Sequence, residues 1–354
     1  TGKPMVIHTK PSKSKPSHCI TLAIDTQKNK ADISDEVERH DFPSDTGTEV
    51  VLELEGRYNR GRQSVDEYLE QTAIANPHAR IIYQPPTACQ PPKDAGDNGE
   101  ADYDVPTLID DLAEAKRIAA EATGTTTTAG GTVVFPRTVH ELPPDTKEIK
   151  PHPDGVELGT LMKMLKVTES TQLGGFLQSE FSRVSLSKAN EICTAADKLL
   201  GEDGTVTNRT WVSTLKHREA EAVYKAMQDT KFMAPPTDCL APIGVKQILA
   251  GLLKGVKAEF YTATTRPPAV YRGNPFQIEV GLAFGGDLPN EELARVIRFA
   301  NRVPLLYQQS ACCAFKAVAE TNWRNYALQQ GRGALPQAPM IALIHMASVW
   351  VPFT

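Results

Sequence analysis

Apolar and polar positions follow two different periods along the chain, and these predict strand-rich and helix-rich stretches. Near the start, "CITLAID" and "TEVVLELEG" are apolar runs of strand length, and the polar "TQKNKADIS" between them predicts a turn. We expect Val51, Leu52 and Leu54 to contribute to the core. Further along, "RIIYQ" and "TVVFP" predict two short strands.

Helical spacing first occurs in "SVDEYLEQTAIANP". Ser64 and Glu67 fit a capping box, in which the hydroxyl and the carboxylate each satisfy a free backbone N–H at the helix start. Pro77 is expected to end this helix. Positions i, i+3, i+4, i+7 and i+8 predict one buried stripe, which consists of Val65, Tyr68, Leu69, Thr72 and Ala73.

The segment 84–131 is rich in Pro, Gly, Thr and acidic residues, which predicts a flexible insertion with one amphipathic helix inside it. Helical spacing then dominates from 151 to 228, which predicts short helices packed on each other. Their expected apolar contacts are Leu158, Leu161, Met162, Leu165, Leu173, Phe176, Leu177, Phe181, Ala189, Ile192, Ala196 and Leu199.

The last third of the chain mixes both periods. "VKQILAGLLKG" and "NEELARVIRFANRV" are predicted to be helices, whereas "FQIEVGLAF", the region near "CCAFKAVAE" and "PMIALIHMASVWV" are predicted to be strands. This combination predicts an α/β sandwich with one helical face. The clearest strand alternates without a break at Phe276, Ile278, Val280, Leu282 and Phe284.

Composition narrows the class of protein. The chain has 354 residues with 40% hydrophobic content, enough for two or three domains, and its formal charge of −5 excludes a globally basic protein. No apolar run approaches the roughly 18 residues of a membrane span. The chain begins "TGKPMV" without Met, and we expect it to be an internal fragment of a reduced, intracellular protein.

The cysteines and histidines give no metal pattern. None of the six cysteines forms a CxxC, and no two histidines have metal-ligand spacing. Cys312 and Cys313 are therefore predicted to be packing residues. His345, in an apolar strand, is predicted to be a satisfied core or surface histidine rather than a ligand, and "DAGDNGE" matches a nucleotide-binding glycine box only weakly.

Local basic segments are the better candidates for chemistry. "RYNRGRQS" places Arg57, Arg60 and Arg62 around a glycine at a helix start, which suits a phosphate contact or a solvated turn. Arg295, Arg298 and Arg302 would share one face of a helix, which is typical of solvated surface.

A second basic segment contains aromatic residues. "TNWRNYALQQGRG" places Trp323, Arg324 and Tyr326 close to Arg332. Aromatics interleaved with arginines can contact a nucleic-acid backbone or can form a half-buried strand end.

Seven segments in order resemble the B-subunit family of DNA topoisomerase VI, the type IIB enzyme. They are "RGRQSVDEYLEQTAIANPHA", "PHPDGVELGTLMKML", "FLQSEFSRVS", "APPTDCLAPIG", "RPPAVYRGNPFQIEVGLAFGG", "RFANRVPLLYQ" and "MASVWVPFT". The resemblance runs over nearly the whole chain except the insertion. Asp154 in "PHPDG" departs from the family's PHPHG, so no role is assigned to it.

The resemblance implies an α+β fold with three parts. Residues 1–150 would be the tail of a Bergerat-type GHKL ATPase domain, 151–228 a helix-two-turns-helix domain and 229–354 a ribosomal-protein-like α/β transducer. Other GHKL proteins, of mismatch-repair or chaperone type, lack the helix-two-turns-helix segment.

It also implies a function. The family binds ATP and Mg²⁺, closes as a homodimer of B subunits within an A2B2 heterotetramer, and couples closure to passage of double-stranded DNA through a break made by the topoisomerase VI A subunit. The ATP-site boxes are expected upstream of Thr1, so no catalytic residue is assigned. The alternative is a B-like structural partner, without ATPase activity, of a meiotic DNA-cleaving protein.

The family also directs attention to particular DNA contacts. Arg60 and Arg62 match its basic DNA-contacting loop, and Trp323, Arg324 and Tyr326 match its Trp-Lys-x-Tyr motif with Arg in place of Lys. A low-complexity insertion suits a eukaryotic protein, so a nuclear location is expected, or the cytoplasm and nucleoid otherwise.

Overall fold

A computed structural model describes residues 3–25, 30–59, 61, 63–86 and 132–351, and the chain forms two compact units, 1–59 and 60–354. Helices and sheets are both present, which confirms a mixed α+β fold. The helices are α1 (Val65–Ala75), α2 (Leu158–Val167), α3 (Leu173–Glu180), α4 (Leu186–Leu200), α5 (His217–Asp229), α6 (Val245–Gly255) and α7 (Cys313–Glu320). The strands are β1 (Met5–Lys10), β2 (Ser17–Asp25), β3 (Lys30–Arg39), β4 (Gly47–Val51), β5 (Ile81–Tyr83), β6 (Val133–Phe135), β7 (Phe260–Thr265), β8 (Ala269–Tyr271), β9 (Asn274–Phe284), β10 (Arg295–Ala300), β11 (Val303–Pro304), β12 (Gln329–Gln330), β13 (Pro336–Gln337) and β14 (Met340–Ser348).

The first unit is an antiparallel sheet with strand order β3-β2-β1-β4. Strand β3 begins at Lys30, so half of the predicted polar turn is strand. The predicted core role of Val51, Leu52 and Leu54 is wrong, since all three are at least half exposed. Among its described residues this unit contains only the four strands, and no second layer of structure covers these side chains.

In the second unit, helices α2 to α5 pack around one hydrophobic core, as the sequence predicts, but the predicted contact Leu199 is exposed and Leu200 is buried in its place. The fully buried members of this core include Leu161, Phe176, Leu177 and Ile192. Ser185 caps α4 by accepting a hydrogen bond from the backbone N–H of Lys188.

A six-stranded sheet has the order β11-β10-β14-β9-β7, with β8 paired to β9. Strands β10 and β14 are parallel, and the remaining pairs are antiparallel. Helices α1 and α6 cover one face and α7 covers part of the other, so the prediction that helices cover only one face is wrong.

Close packing of α6 explains which residues of β9 are fully buried. A Cβ on Gly281 would lie 2.7 Å from Ile248 on α6, and a Cβ on Gly251 would overlap the Ile74 carbonyl on α1. The helices therefore approach the sheet and each other at glycines. The apolar residues that alternate along β9 face the other side and are only half-buried, including Ile278 and Leu282.

Two predicted elements are of the wrong type. Strand β10 occupies the predicted helix around 290–303, because it is buried on both faces and therefore lacks the period of a half-buried strand. The region near "CCAFKAVAE" is helix α7 rather than a strand pair. Arg298, predicted on a solvated helix face, is buried and donates hydrogen bonds to the carbonyls of Leu305 and Tyr307.

Helix α1 has the predicted cap but a different buried face. The hydroxyl of Ser64 accepts from the N–H of Glu67 at 3.1 Å, whereas the Glu67 carboxylate accepts from Gln63, one residue before the cap. The buried residues are Gln71, Ala73, Ile74 and Ala75, because the C-terminal half of α1 packs on α6. Val65 and Tyr68 are exposed.

Strands β5 and β6 pair with each other and flank the predicted insertion. The helix predicted within it and "DAGDNGE" lie outside the described residues. The predicted boundaries at 150 and 228 remain predictions. No helix in the part of the chain that the structure describes is long and apolar enough to span a membrane.

Candidate nucleic-acid interface

Trp323, Arg324 and Tyr326 lie together on one short 3-10 turn, Trp323–Tyr326, directly after α7. Helix α7 ends at Thr321, whose hydroxyl bonds back to the Ala317 carbonyl. Ala327 ends the turn in the left-handed region at φ 60°. The sequence prediction that these three residues form one group is compatible with this turn, but the predicted strand end is not.

The Trp323 side chain anchors the turn. Its indole Nε1 donates to the Val318 carbonyl at 2.7 Å, and its ring packs against the core that includes Val296, Ile344 and Leu335. The ring is half-buried. An indole with its N–H occupied and its body in the core holds the turn in place.

Arg324 and Tyr326 are the exposed members of the turn. Tyr326 is 69% exposed, and its ring centroid lies 5.9 Å from that of Trp323. Arg324 is exposed and donates from Nη2 to the Gln330 carbonyl at 2.8 Å. A guanidinium has five N–H donors, so the exposed group retains donors for an anion.

The charge around this turn is positive, although the chain is acidic overall. From 313 to 334 the basic residues are Lys316, Arg324 and Arg332 and the acidic residue is Glu320, giving a formal charge of 3 − 1 = +2. All four are exposed. A local positive surface of this kind attracts polyanions.

The other predicted contacts, Arg60 and Arg62, lie outside the described residues. Gly61 between them has φ 93°, a conformation that favours glycine. Gln63, the next described residue, has its carbonyl 3.4 Å from the Tyr307 hydroxyl and its Nε2 3.4 Å from the Leu306 carbonyl. The chain that leaves the basic loop is thus held against the segment after β11.

A buried polar network lies elsewhere in the same sheet, centred on Glu279 of β9. Its carboxylate accepts from the Thr265 hydroxyl at 2.7 Å and from the N–H groups of Ile243 at 2.6 Å and Gly244 at 2.8 Å. His345, opposite on β14, lies 2.8 Å away through Nδ1. Burial tends to raise the pKa of Glu279, but these four hydrogen bonds outweigh it and hold the pKa below its usual value.

The network continues to Arg302. His345 Nε2 accepts the Arg302 backbone N–H at 3.0 Å, which places the ring proton on Nδ1, facing Glu279. The Arg302 guanidinium donates to the carbonyls of Ala75 at 3.3 Å and Pro242 at 2.8 Å. Burial lowers the pKa of Arg302, while Glu279 opposes that shift. The network joins α1, the connector before α6, and the sheet.

The Glu70 side chain provides a second carboxyl group removed from solvent, and its pKa is shifted in the opposite direction to that of Glu279. Burial raises the pKa of Glu70 on α1 to about 7, helped by Glu67 and Asp66 and opposed by Arg295. Its Oε1 is buried and accepts no hydrogen bond within the described part of the chain. Arg295 instead bonds to Glu67 at 3.2 Å.

Clusters of metal-ligating side chains are absent from the described residues. These residues contain no group of three or more His, Cys, Asp or Glu that could hold a metal ion. Cys313 is exposed and Cys312 is half-buried at the start of α7. For Cys312, burial is outweighed by hydrogen bonds from the Phe315 backbone and the Arg298 side chain, which lower its pKa.

Several named proteins are similar to this chain over all or nearly all of its length. A family model described as "Topoisomerase VI B subunit, transducer" matches residues 235–354. The chain is 42% identical to a protein of Methanosarcina mazei named as the B subunit of type 2 DNA topoisomerase 6, over 100% of this chain and 49% of the relative. Proteins of the same name from Archaeoglobus fulgidus and Pyrococcus furiosus are 38% and 32% identical, over 100% and 94% of this chain and 50% and 57% of their own lengths.

The chain belongs to the topoisomerase VI B-subunit family. It spans about half the length of the curated relatives it matches. These relatives are archaeal and give no support to the predicted nuclear location.

Two features of the chain are not predicted from the sequence. Glu279 interrupts an apolar strand, and a single carboxylate in such a strand is the signal that could have revealed the buried network. His345 is predicted to be a satisfied core or surface histidine, and the structure places it in the core with its hydrogen bonds satisfied. Nothing in the sequence pattern indicates that Gln330 contacts the exposed turn.

Proposed function

We propose that this chain is the part of a type IIB topoisomerase B subunit that contains the transducer and that contacts double-stranded DNA through the Trp323–Tyr326 turn. The single observation that supports it most is the exposed Arg324 on a turn anchored to the sheet by Trp323. Arg324 binds a backbone phosphate, and Tyr326 contacts the backbone beside it. Trp323 positions the turn rather than stacking on DNA.

Arg60 and Arg62 supply a second set of phosphate contacts in this proposal. They precede the Ser64 cap of α1, and the N-terminal end of a helix favours anions. The acidic first turn, with Asp66 and Glu67, weakens that attraction. We therefore assign the phosphate contact to the arginine side chains.

In the complete protein, we propose that ATP and Mg²⁺ bind outside the described residues and drive closure of two B subunits in an A2B2 assembly with the topoisomerase VI A subunit. The helical cluster α2–α5 is then the helix-two-turns-helix domain, and residues 1–59 belong to the GHKL ATPase domain. In this proposal the sheet that carries the Glu279 network transmits closure to the DNA-cleaving partner.

The salt dependence of duplex binding tests the DNA contacts. Each lost phosphate contact reduces the slope of log affinity against log salt by about 0.9. Replacing Arg60, Arg62 and Arg324 together with Ala should reduce the slope by about 3, measured by fluorescence anisotropy with a labelled duplex of about 40 base pairs between roughly 50 and 200 mM KCl. Slopes that do not differ between the parent and the triple variant would contradict the proposal.

The chain offers a matched control in Tyr271 and Arg272. Tyr271 is 65% exposed, and the Arg272 guanidinium lies 5.4 Å from its ring centroid on the β8–β9 hairpin. This pair has the same chemistry as Arg324 and Tyr326 but is not part of the proposed contact. Arg272→Ala should leave the slope unchanged, and an equal effect of Arg272→Ala would indicate nonspecific charge attraction.

A further inference from the structure

The Gln330 side chain makes one hydrogen bond to the exposed turn and three to the segments beside it, more than strand pairing requires. Its side-chain Nε2 lies 2.9 Å from the carbonyls of Ala319 and Ala334 and 3.0 Å from that of Thr321. Its Oε1 accepts the backbone N–H of Trp323 at 3.1 Å. One half-buried amide therefore joins the end of α7, the start of the turn and the loop before β13.

This arrangement requires the amide in one orientation. The NH₂ group has two hydrogens, so three carbonyls share two donors. The oxygen accepts the Trp323 backbone N–H, which it shares with the Thr321 carbonyl at 3.0 Å. The opposite orientation would place an oxygen against three carbonyl oxygens. A carboxylate or an apolar side chain cannot satisfy this set.

The main chain of Gln330 also holds the arginine. Its carbonyl accepts from Nη2 of Arg324 at 2.8 Å. The side chain thus fixes where the turn begins, and the carbonyl of the same residue fixes the direction of the guanidinium. Loss of the side-chain bonds should move the carbonyl and the turn relative to each other and release Arg324.

We propose that Gln330 is a positioning residue, which orients Arg324 for a phosphate of double-stranded DNA. It does not touch DNA itself, and the inference rests on the proposed function of the turn. Held in one rotamer, Arg324 loses less conformational entropy on binding, so the Gln330 bonds raise DNA affinity without adding a contact.

The test is a double-mutant cycle on duplex binding with the purified protein. Arg324→Ala should lower affinity roughly fivefold to tenfold at about 100 mM KCl and reduce the salt slope by about 0.9, as for one phosphate contact. Gln330→Ala should lower affinity by a similar factor and also flatten the slope. The double variant should be no weaker than Arg324→Ala alone, because Gln330 acts through that residue.

Gln329, the preceding residue, is the matched control. It lies on the same strand and is exposed. Gln329→Ala should bind within twofold of the parent. Gln330→Met, which keeps the length of the side chain without its hydrogen bonds, replaces Gln330→Ala if that variant fails to fold.

The outcomes separate the inference from the function on which it rests. An unchanged affinity and slope for Arg324→Ala would overturn the proposed DNA contact. A weakened Arg324→Ala together with a parent-like Gln330→Ala and Gln330→Met would overturn the positioning role alone. A further loss in the double variant would also overturn it, since Gln330 would then act through the fold in general.

Discussion

The Glu279 network lies within the six-stranded sheet and the Trp323–Tyr326 turn packs against that sheet, yet the two differ in which hydrogen-bonding groups remain unpaired. Glu279 and His345 are completely buried, and every hydrogen-bonding atom of the two side chains has a partner. Arg324 and Tyr326 are exposed and keep free donors. The comparison teaches that the first group stabilises the fold, whereas the second is available to a ligand.

Forming the buried network costs free energy of desolvation, and removing one of its partners costs more. Taking a carboxylate out of water carries a penalty of several kcal/mol, which the four donors around Glu279 offset. Since its partners come from α1, the connector before α6 and three strands, the network also specifies how these parts fit together. We infer that the network holds in place the sheet on which the exposed turn packs.

Breaking the network should give the largest effect. Glu279→Gln keeps the shape but places an NH₂ group against N–H and O–H donors, so we expect a loss of about 3–5 kcal/mol in the free energy of unfolding. Urea unfolding followed by circular dichroism measures it. The exposed Glu259 is the control, and Glu259→Gln should change stability by less than about 0.5 kcal/mol. Equal effects of the two changes would show that the network is not a stabilising centre.

Glu70 sharpens the comparison because it is a buried carboxyl without such a network. Its pKa is raised to about 7 from 4.5, so the folded state binds a proton more tightly than the unfolded state. Stability should therefore fall as pH rises from about 4.5 to 7. Glu70→Gln should remove this dependence and stabilise the protein at about pH 8 by about 1–3 kcal/mol.

Thermal unfolding of the parent and Glu70→Gln at about pH 5 and about pH 8 measures the difference. Glu320→Gln, a change at an exposed glutamate, should have no such pH dependence. If Glu70→Gln destabilises the protein equally at both pH values, Glu70 is ionised in the folded state and the account of its burial is wrong.

Tyr326 should give the smallest of these effects and only on binding. Tyr326→Ala should weaken duplex binding roughly fivefold, the equivalent of one hydrogen bond of about 1 kcal/mol, without changing the free energy of unfolding. Anisotropy titrations measure it, with Tyr271→Ala as the equally exposed control. A loss of stability without a loss of affinity would assign Tyr326 to the fold.

The sequence predicts correctly those elements whose apolar residues all face one buried layer, because their spacing then shows the period of the helix or strand. The helices α2 to α6 and the strand β9 follow this rule, whereas β14 is predicted from its long apolar run and is buried on both faces. Strand β10 does not follow the rule, because Val296 and Phe299 face opposite buried layers and imitate a helical stripe. Helix α7 is only eight residues long and half exposed, too short to show a helical period.

The residues of the candidate site and of the buried network also differ in how far the sequence predicts them. Trp323, Arg324 and Tyr326 are close in sequence, so their grouping could be predicted. The bonds of Gln330 and the meeting of Glu279 with His345 depend on tertiary contacts between segments up to 66 residues apart. No local pattern encodes such contacts.

Amide hydrogen exchange with and without duplex DNA tests the central claim most directly, because it observes the turn and the network in one experiment. We predict slower exchange at 321–332 on adding the same duplex, and no change around Glu279 and His345. Protection at the 271–274 hairpin with none at 321–332 would contradict the claim that the exposed turn is the DNA contact.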